Sequence, residues 1–126
     1  MIYGIGTDIC AVARMARLLE RYGDRPAGRI LTTAERADFG RAHSPARFLA
    51  KRFAAKEAFS KALGTGIRHP VTLRAVGVGH DVHGKPILEF GPTLAALMAE
   101  RRLRALVSIS DEQDFALGFV VIEQEP

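Results

Sequence analysis

Only one cysteine, Cys10, occurs among the 126 residues, and there is no tryptophan. A single thiol closes no internal disulfide, so the fold stands without covalent staples and suits a reducing cytoplasm. No apolar run approaches the roughly eighteen residues that a membrane-spanning helix needs. Asp8 interrupts the N-terminal segment and no positive region precedes it, so no signal peptide is expected. The four histidines, His43, His69, His80 and His83, are scattered, and zinc is not expected. Internal repeats, low-complexity segments and long linkers are also missing. What remains is one expected domain over residues 1–126, with 48% apolar residues to build a core. A chain this small gains from burying further surface in an oligomer.

Acids are in deficit too, and the formal net charge is +4. A basic chain favours an acidic partner, either nucleic acid or an acidic protein. Val12, Met15, Leu19 and Tyr22 recur at helical spacing and are expected to face inward. Arg14, Arg17 and Arg21 form a stripe on another face of that helix, with few acids between them. A charged stripe is usually just a solvated face. This one lacks the interleaved aromatics of a nucleic-acid surface.

The stretch Arg47 to Ile67 is the most informative. On a wheel of about 3.6 residues per turn it gives one helix with charges on the wrong side. Phe48, Leu49, Phe53, Phe59 and Leu63 share a broad apolar face. Arg52, Lys56 and Ser60 fall inside that same arc, with Glu57 at its edge. Half-buried cations cost free energy unless an anion meets them. The simplest inference is a site where Arg52, Lys56 and Lys61 face an anion with Glu57 among them. Snorkelling side chains and an ordinary Glu57–Lys61 pair are the plain alternative.

Two further segments favour a site. Ile2, Tyr3, Ile5 and Ile9 read as a short buried strand that carries Gly4 and Gly6 and then Asp8. Glycine inside a strand marks close approach of another backbone or a ligand. Asp8 is either a metal ligand or the N-cap of the following helix. Gly64 reads as a left-handed C-cap, and Gly64-Thr65-Gly66 forms a loop able to lie against a ligand.

Elsewhere, Gly23 and Pro26 break the first helix. Thr32-x-x-Glu35 is a capping-box signature for a short helix to about Gly40, so Glu35 has a structural reading. Ser44-Pro45 opens the long helix. Val71 to Val78 and Lys85 to Phe90 read as a hairpin around Asp81 to Gly84. Gly91-Pro92 opens a last helix that ends near Arg101. Arg104 to Ser110 and Phe115 to Glu123 read as a second hairpin around Glu112 to Asp114. The expected layout is strand, three helices, two strands, helix, two strands. That is an α+β fold with an antiparallel-rich sheet.

GIGTDI at Gly4 to Ile9, Arg14, ILTTAE at Ile30 to Glu35, FLAKRFAAKEAFSKALGTGI at Phe48 to Ile67 and GKP at Gly84 to Pro86 together resemble the holo-acyl-carrier-protein synthases. These belong to the 4'-phosphopantetheinyl transferase family, and the likeness runs from end to end. It implies that family's fold and a cytoplasmic, magnesium-dependent transferase of fatty acid biosynthesis. Coenzyme A would be the substrate and acyl carrier protein the partner. The resemblance assigns the metal to Asp8 and Glu57, and catalysis to Asp8, Glu57 and Lys61. It gives Arg52 the ribose 3'-phosphate, with Lys56 and Lys61 adding positive charge. Gly64, Thr65 and Gly66 would line the nucleotide, and Pro86 would touch the adenosine side. Arg14, Arg17 and Arg21 would dock the acidic carrier. It further implies a homotrimer with sites at subunit interfaces, for which the apolar strand Phe115 to Val121 is suited. Neither nucleic acid nor membrane would be a partner.

Many members read Ser-Ile-Ser-His where this chain has Ser108-Ile109-Ser110-Asp111. An anion there repels a diphosphate unless it is turned away or metal-linked. A metal-bound or carboxylate-linked water is the first candidate for the general base, with Glu35 and Asp111 ranked below it. Two other classes compete: a basic nucleic-acid-binding module, and an inactive interaction protein of the same fold. Retention of Asp8, Glu57 and Lys61 argues against the second.

Overall fold

The computed structural model describes residues 1–126. In chain order the elements are β1 (Ile2–Ala11), α1 (Val12–Tyr22), α2 (Arg25–Ile30), α3 (Thr33–Phe39) and α4 (Pro45–Leu63). A 3-10 turn (Leu73–Ala75), β2 (Val76–His80), β3 (Pro86–Phe90), α5 (Pro92–Glu100), β4 (Leu103–Asp111) and β5 (Phe115–Gln124) follow. The strands form two antiparallel sheets, β1-β5-β4 and β2-β3. The α+β layout is as expected, with one helix more than the sequence reading allowed. Pro26 does not merely break the chain. It sits in the first turn of α2, where its missing N–H costs nothing.

The other boundaries follow their local chemistry. Thr32 and Glu35 make both bonds of the capping box that starts α3. Ser44 accepts from the Arg47 N–H at the start of α4. Gly64 ends α4 in the left-handed region, at φ 88°. The first strand of the small hairpin begins only at Val76, because Thr72 caps the 3-10 turn before it.

The N-terminal strand corrects the sequence reading. It is long, and its isoleucines point outward: Ile5 is 62% exposed and Ile9 61%. The covered face of β1 carries Gly4, Gly6, Asp8 and Cys10 instead. A methyl on Gly4 would lie 2.0 Å from the Ala62 carbonyl oxygen, and one on Gly6 2.1 Å from that of Ala58. The glycines thus mark close approach of a backbone, that of α4. Tyr22, expected inside, is 44% exposed at the end of α1.

Helix α4 is the central element. One end joins Phe59 and Leu63 to Val120, Ile122, Leu94 and Met98. The other joins Leu49 and Ala50 to Cys10, Met15, Ile30 and Leu31. Arg52, Lys56 and Ser60 are buried on this helix, as the apolar arc required.

Candidate functional site

Two charge clusters lie on α4, and they take apart the single cluster expected from the wheel. The first sits at the seam of β1 and α4. Lys61 Nζ donates to Asp8 Oδ1 at 3.1 Å and to the Thr7 carbonyl at 3.0 Å. Glu57 lies close enough to feel both groups. Burial pushes its carboxyl up from the ordinary glutamate value, the Asp8 carboxylate adds to that, and Lys61 and Arg14 oppose it. Asp8 caps no helix: α1 starts from Ala11 without a side-chain cap. Its carboxylate is therefore free for chemistry, and only the half-exposed Lys61 pairs with it.

The second cluster is buried. Lys56 Nζ donates to Glu35 Oε1 at 2.6 Å and to the Ile30 carbonyl at 2.5 Å. Arg52 Nε lies 3.6 Å from Glu35 Oε2. Glu35 also accepts from the Thr32 and Val78 N–H groups, both at 2.9 Å. The anion that meets Arg52 and Lys56 is thus an internal side chain. Lys56 is 0% exposed, which removes it from the residues expected to touch a ligand. Burial pushes its ammonium down and Glu35 holds it up. The close 2.6 Å contact fits an ion pair. Glu35, buried and fully bonded, is not placed to serve as a base.

Arg52 differs from Lys56. Its guanidinium lies 4.3 Å from the Phe48 ring centroid. Its buried Nε has no hydrogen-bond partner. Burial lowers its pKa, and Glu35 and Asp38 oppose that.

The remaining expected residues are dispersed. The N–H groups of Gly64, Thr65 and Gly66 all converge on the Ser60 carbonyl at 3.1–3.2 Å, so they close α4 and do not point outward. The outer side of Gly64 and Gly66 is open, with nothing within 4 Å of an added methyl. Pro86 starts β3, opposite His80 in the separate sheet. Arg14, Arg17 and Arg21 lie exposed on α1. Arg14 stacks over Phe53 at 5.0 Å, which ties the stripe to α4.

Asp111 is turned to Arg47, Nε to Oδ2 3.7 Å. Arg47 Nη2 also donates to the Gln113 carbonyl at 3.2 Å, binding the β4–β5 turn to the start of α4. Arg47 was missed in the sequence. The signal for it was the departure at Asp111, an acid in need of a cation.

The Asp8–Glu57 pair has the donor chemistry of a magnesium site. The ion is hard, and takes one or two carboxylates with water and phosphate oxygens completing its shell. Glu57, whose ionisation is disfavoured by burial and by the Asp8 carboxylate, gains from a cation shared with that acid. No third acid, histidine or cysteine joins them in a metal-binding group.

The chain is 58% identical over 123 residues to the holo-[acyl-carrier-protein] synthase of Dechloromonas aromatica, covering 98% of each. It matches the crystal structure of the Neisseria meningitidis holo-[acyl-carrier-protein] synthase with a TM-score of 0.95 at 52% identity, over 98% of this chain and 100% of that one. A Bacillus anthracis holo-(acyl-carrier-protein) synthase solved in complex with CoA (3',5'-ADP) matches with a TM-score of 0.83 at 37% identity, over 99% of each chain. The family model of the 4'-phosphopantetheinyl transferase superfamily matches residues 4–120, and the chain belongs to that superfamily.

Proposed function

We propose that this chain transfers the 4'-phosphopantetheine arm of coenzyme A to a serine of apo acyl carrier protein, as one domain working in cytoplasmic fatty acid biosynthesis. The observation that carries this reading is the Asp8–Glu57 pair set against Lys61 at the β1–α4 seam. The serine oxygen forms a bond to the phosphorus bearing the pantetheine arm. The bond from that phosphorus to the oxygen of the nucleotide phosphate breaks, and adenosine 3',5'-bisphosphate leaves. The serine proton is released.

Such transfers depend on positioning and on neutralising charge on the phosphate oxygens. Lys61 is half-exposed and only loosely committed, so it can turn from Asp8 to a diphosphate oxygen. The Nε of Arg52 is buried against Glu35, so a phosphate contact falls to the far end of its guanidinium. Gly64, Thr65 and Gly66 offer an open, side-chain-poor surface to the nucleotide, with Pro86 on the adenosine side. Asp8 and Glu57 would hold magnesium, which supplies charge neutralisation for the diphosphate. A proton competes for Glu57 because its pKa is raised. The affinity for Mn2+, measured by calorimetry as a stand-in for magnesium, is therefore expected to rise with pH through the acidic range and level off once Glu57 is ionised. A flat profile from pH 4.5 to 7.5 would count against Glu57 as a ligand.

The carrier docks on α1. Arg14, Arg17 and Arg21 are exposed there. Beside them lies a cavity of about 440 Å³ lined by Leu18, Tyr22, Pro26, Arg25 and Arg29, which offers apolar contact within a basic rim. Reversing Arg17 and Arg21 to Glu is expected to raise KM for the carrier at least tenfold and flatten its salt dependence, with kcat nearly unchanged. Equal loss with a short serine peptide as the acceptor would refute docking.

The outer sheet face supports a homotrimer with sites at subunit interfaces. Ile5, Ile9, Leu106, Leu117 and Phe119 stand exposed across its three paired strands. The deciding experiment is the intact mass of apo carrier after incubation with this chain, coenzyme A and magnesium. A gain of one phosphopantetheine, abolished by chelator, is expected. No gain with folded protein and several carriers would sink the reading.

A further inference from the structure

Lys56 touches no ligand-accessible surface, yet it is among the most tightly held charges in the molecule. Its ammonium bonds the last residue of α2 through the Ile30 carbonyl and α3 through Glu35. Glu35 in turn bonds the Thr32 N–H ahead of α3 and the Val78 N–H of β2. The Lys56–Glu35 pair therefore joins α2, α3, α4 and the small hairpin.

The next residue along α4 is Glu57. Consecutive residues on a helix are about 100° apart, so pinning Lys56 inward fixes the direction of Glu57. On the sheet side, Gly4, Gly6 and Gly118 let the backbone of α4 come close. Those contacts set the height of the helix, Leu49, Phe59 and Leu63 anchor it in the two cores, and the hub adds a directional hold on its rotation. A rotation of about 20° moves a side-chain tip at the helix rim by about 2 Å. Displacements near 1 Å already cost a reacting site about a hundredfold.

We propose that Lys56, locked by Glu35, is a positioning residue: it sets the rotation of α4 that aims Glu57 at Asp8, and so tunes divalent-cation affinity and turnover without touching either. This rests on the transferase reading for turnover, but not for cation binding.

The test is Lys56→Met. Arg52 stays beside Glu35, so the variant keeps that acid's charge compensated and the hub's volume filled. Lys56→Gln, which restores a donor to Glu35, is the graded partner. Folding is checked by thermal melts, Mn2+ affinity by calorimetry, and carrier modification by intact mass. The expected result is folded Lys56→Met with Mn2+ Kd raised about tenfold or more and kcat reduced, KM for the carrier unchanged, and Lys56→Gln between it and wild type. Folded Lys56→Met with wild-type Kd and kcat, only its Tm lowered, overturns the proposal. If Lys56→Met does not fold, the same two outcomes are read on Lys56→Gln. Wild-type protein that binds Mn2+ but modifies no carrier sinks the transferase reading, and the hub is still judged on Kd. Wild-type protein that binds no Mn2+ overturns the hub's role together with the metal pair.

Discussion

Glu57→Gln is expected to lower carrier modification by about 10²- to 10³-fold while leaving the fold intact, an effect of the size seen when one preorganised charge-stabilising group is removed. The two halves of that expectation have separate causes. Glu57 is half-buried next to the like-charged Asp8, and both facts push its pKa up. A carboxyl whose folded pKa is raised stabilises the fold only at low pH, and that contribution is lost as pH rises through the folded value. At neutral pH the ionised group is therefore a cost to the fold without its cation, and an uncharged amide of the same shape removes the cost. Thermal melts in chelator should show Glu57→Gln at least as stable as wild type. Turnover and Mn2+ affinity should fall together, because the amide oxygen is a weaker ligand and brings no charge. Asp8→Asn is expected to act the same way, less cleanly, since it also releases Lys61. The double variant should lose little beyond either single one, as residues of one unit do. A stable Glu57→Gln protein with wild-type turnover would remove the site from the seam.

The wheel of α4 made part of this site legible. It showed that Arg52 and Lys56 stand on the apolar face and need an anion. It could not show that the anion is Glu35, because partners twenty-one positions apart meet only through tertiary packing. The capping box explained Glu35 by itself and so concealed its second role. The same limit applied to β1. Alternation tells which residues share a face, but not which face is covered. The sequence favours Ile2, Tyr3, Ile5 and Ile9 as buried, yet all four stand exposed, because the covered face carries Gly4 and Gly6 and has to be small. A sheet whose helix sits on glycine leaves its large apolar residues for the other side, where we propose a second subunit. Asp111 was legible only as an oddity. Its partner Arg47 lies on another element, and the guanidinium offsets the charge of the anion.

Gly6→Ala is expected to cost about 3 kcal/mol of stability or more, the upper end for overpacking, and to lower Tm by roughly 10 °C. Gly6 lies on β1 where α4 crosses it, and an added methyl would stand 2.1 Å from the Ala58 carbonyl oxygen and 2.6 Å from the Ala62 nitrogen. Both are backbone atoms, so no side chain can swing aside and the whole helix must lift. The seat is periodic: Gly118 meets Ala54, Gly6 meets Ala58 and Gly4 meets Ala62, one helical turn apart each time. Lifting α4 at its centre therefore strains the contacts on either side as well. Asp8 is two residues along the same face of β1, while Glu57 and Lys61 ride on the helix. Mn2+ affinity should consequently fall in Gly6→Ala even at temperatures where the protein is folded. Pairing it with Ala58→Gly separates the possible causes. Removing the Ala58 methyl leaves the carbonyl in place, so the double variant should melt no higher than Gly6→Ala alone. Recovery of Tm in that double variant would mean the contact is between side chains and the helix is seated less closely. A Gly6→Ala protein that melts with wild type would dispose of the glycine seat altogether.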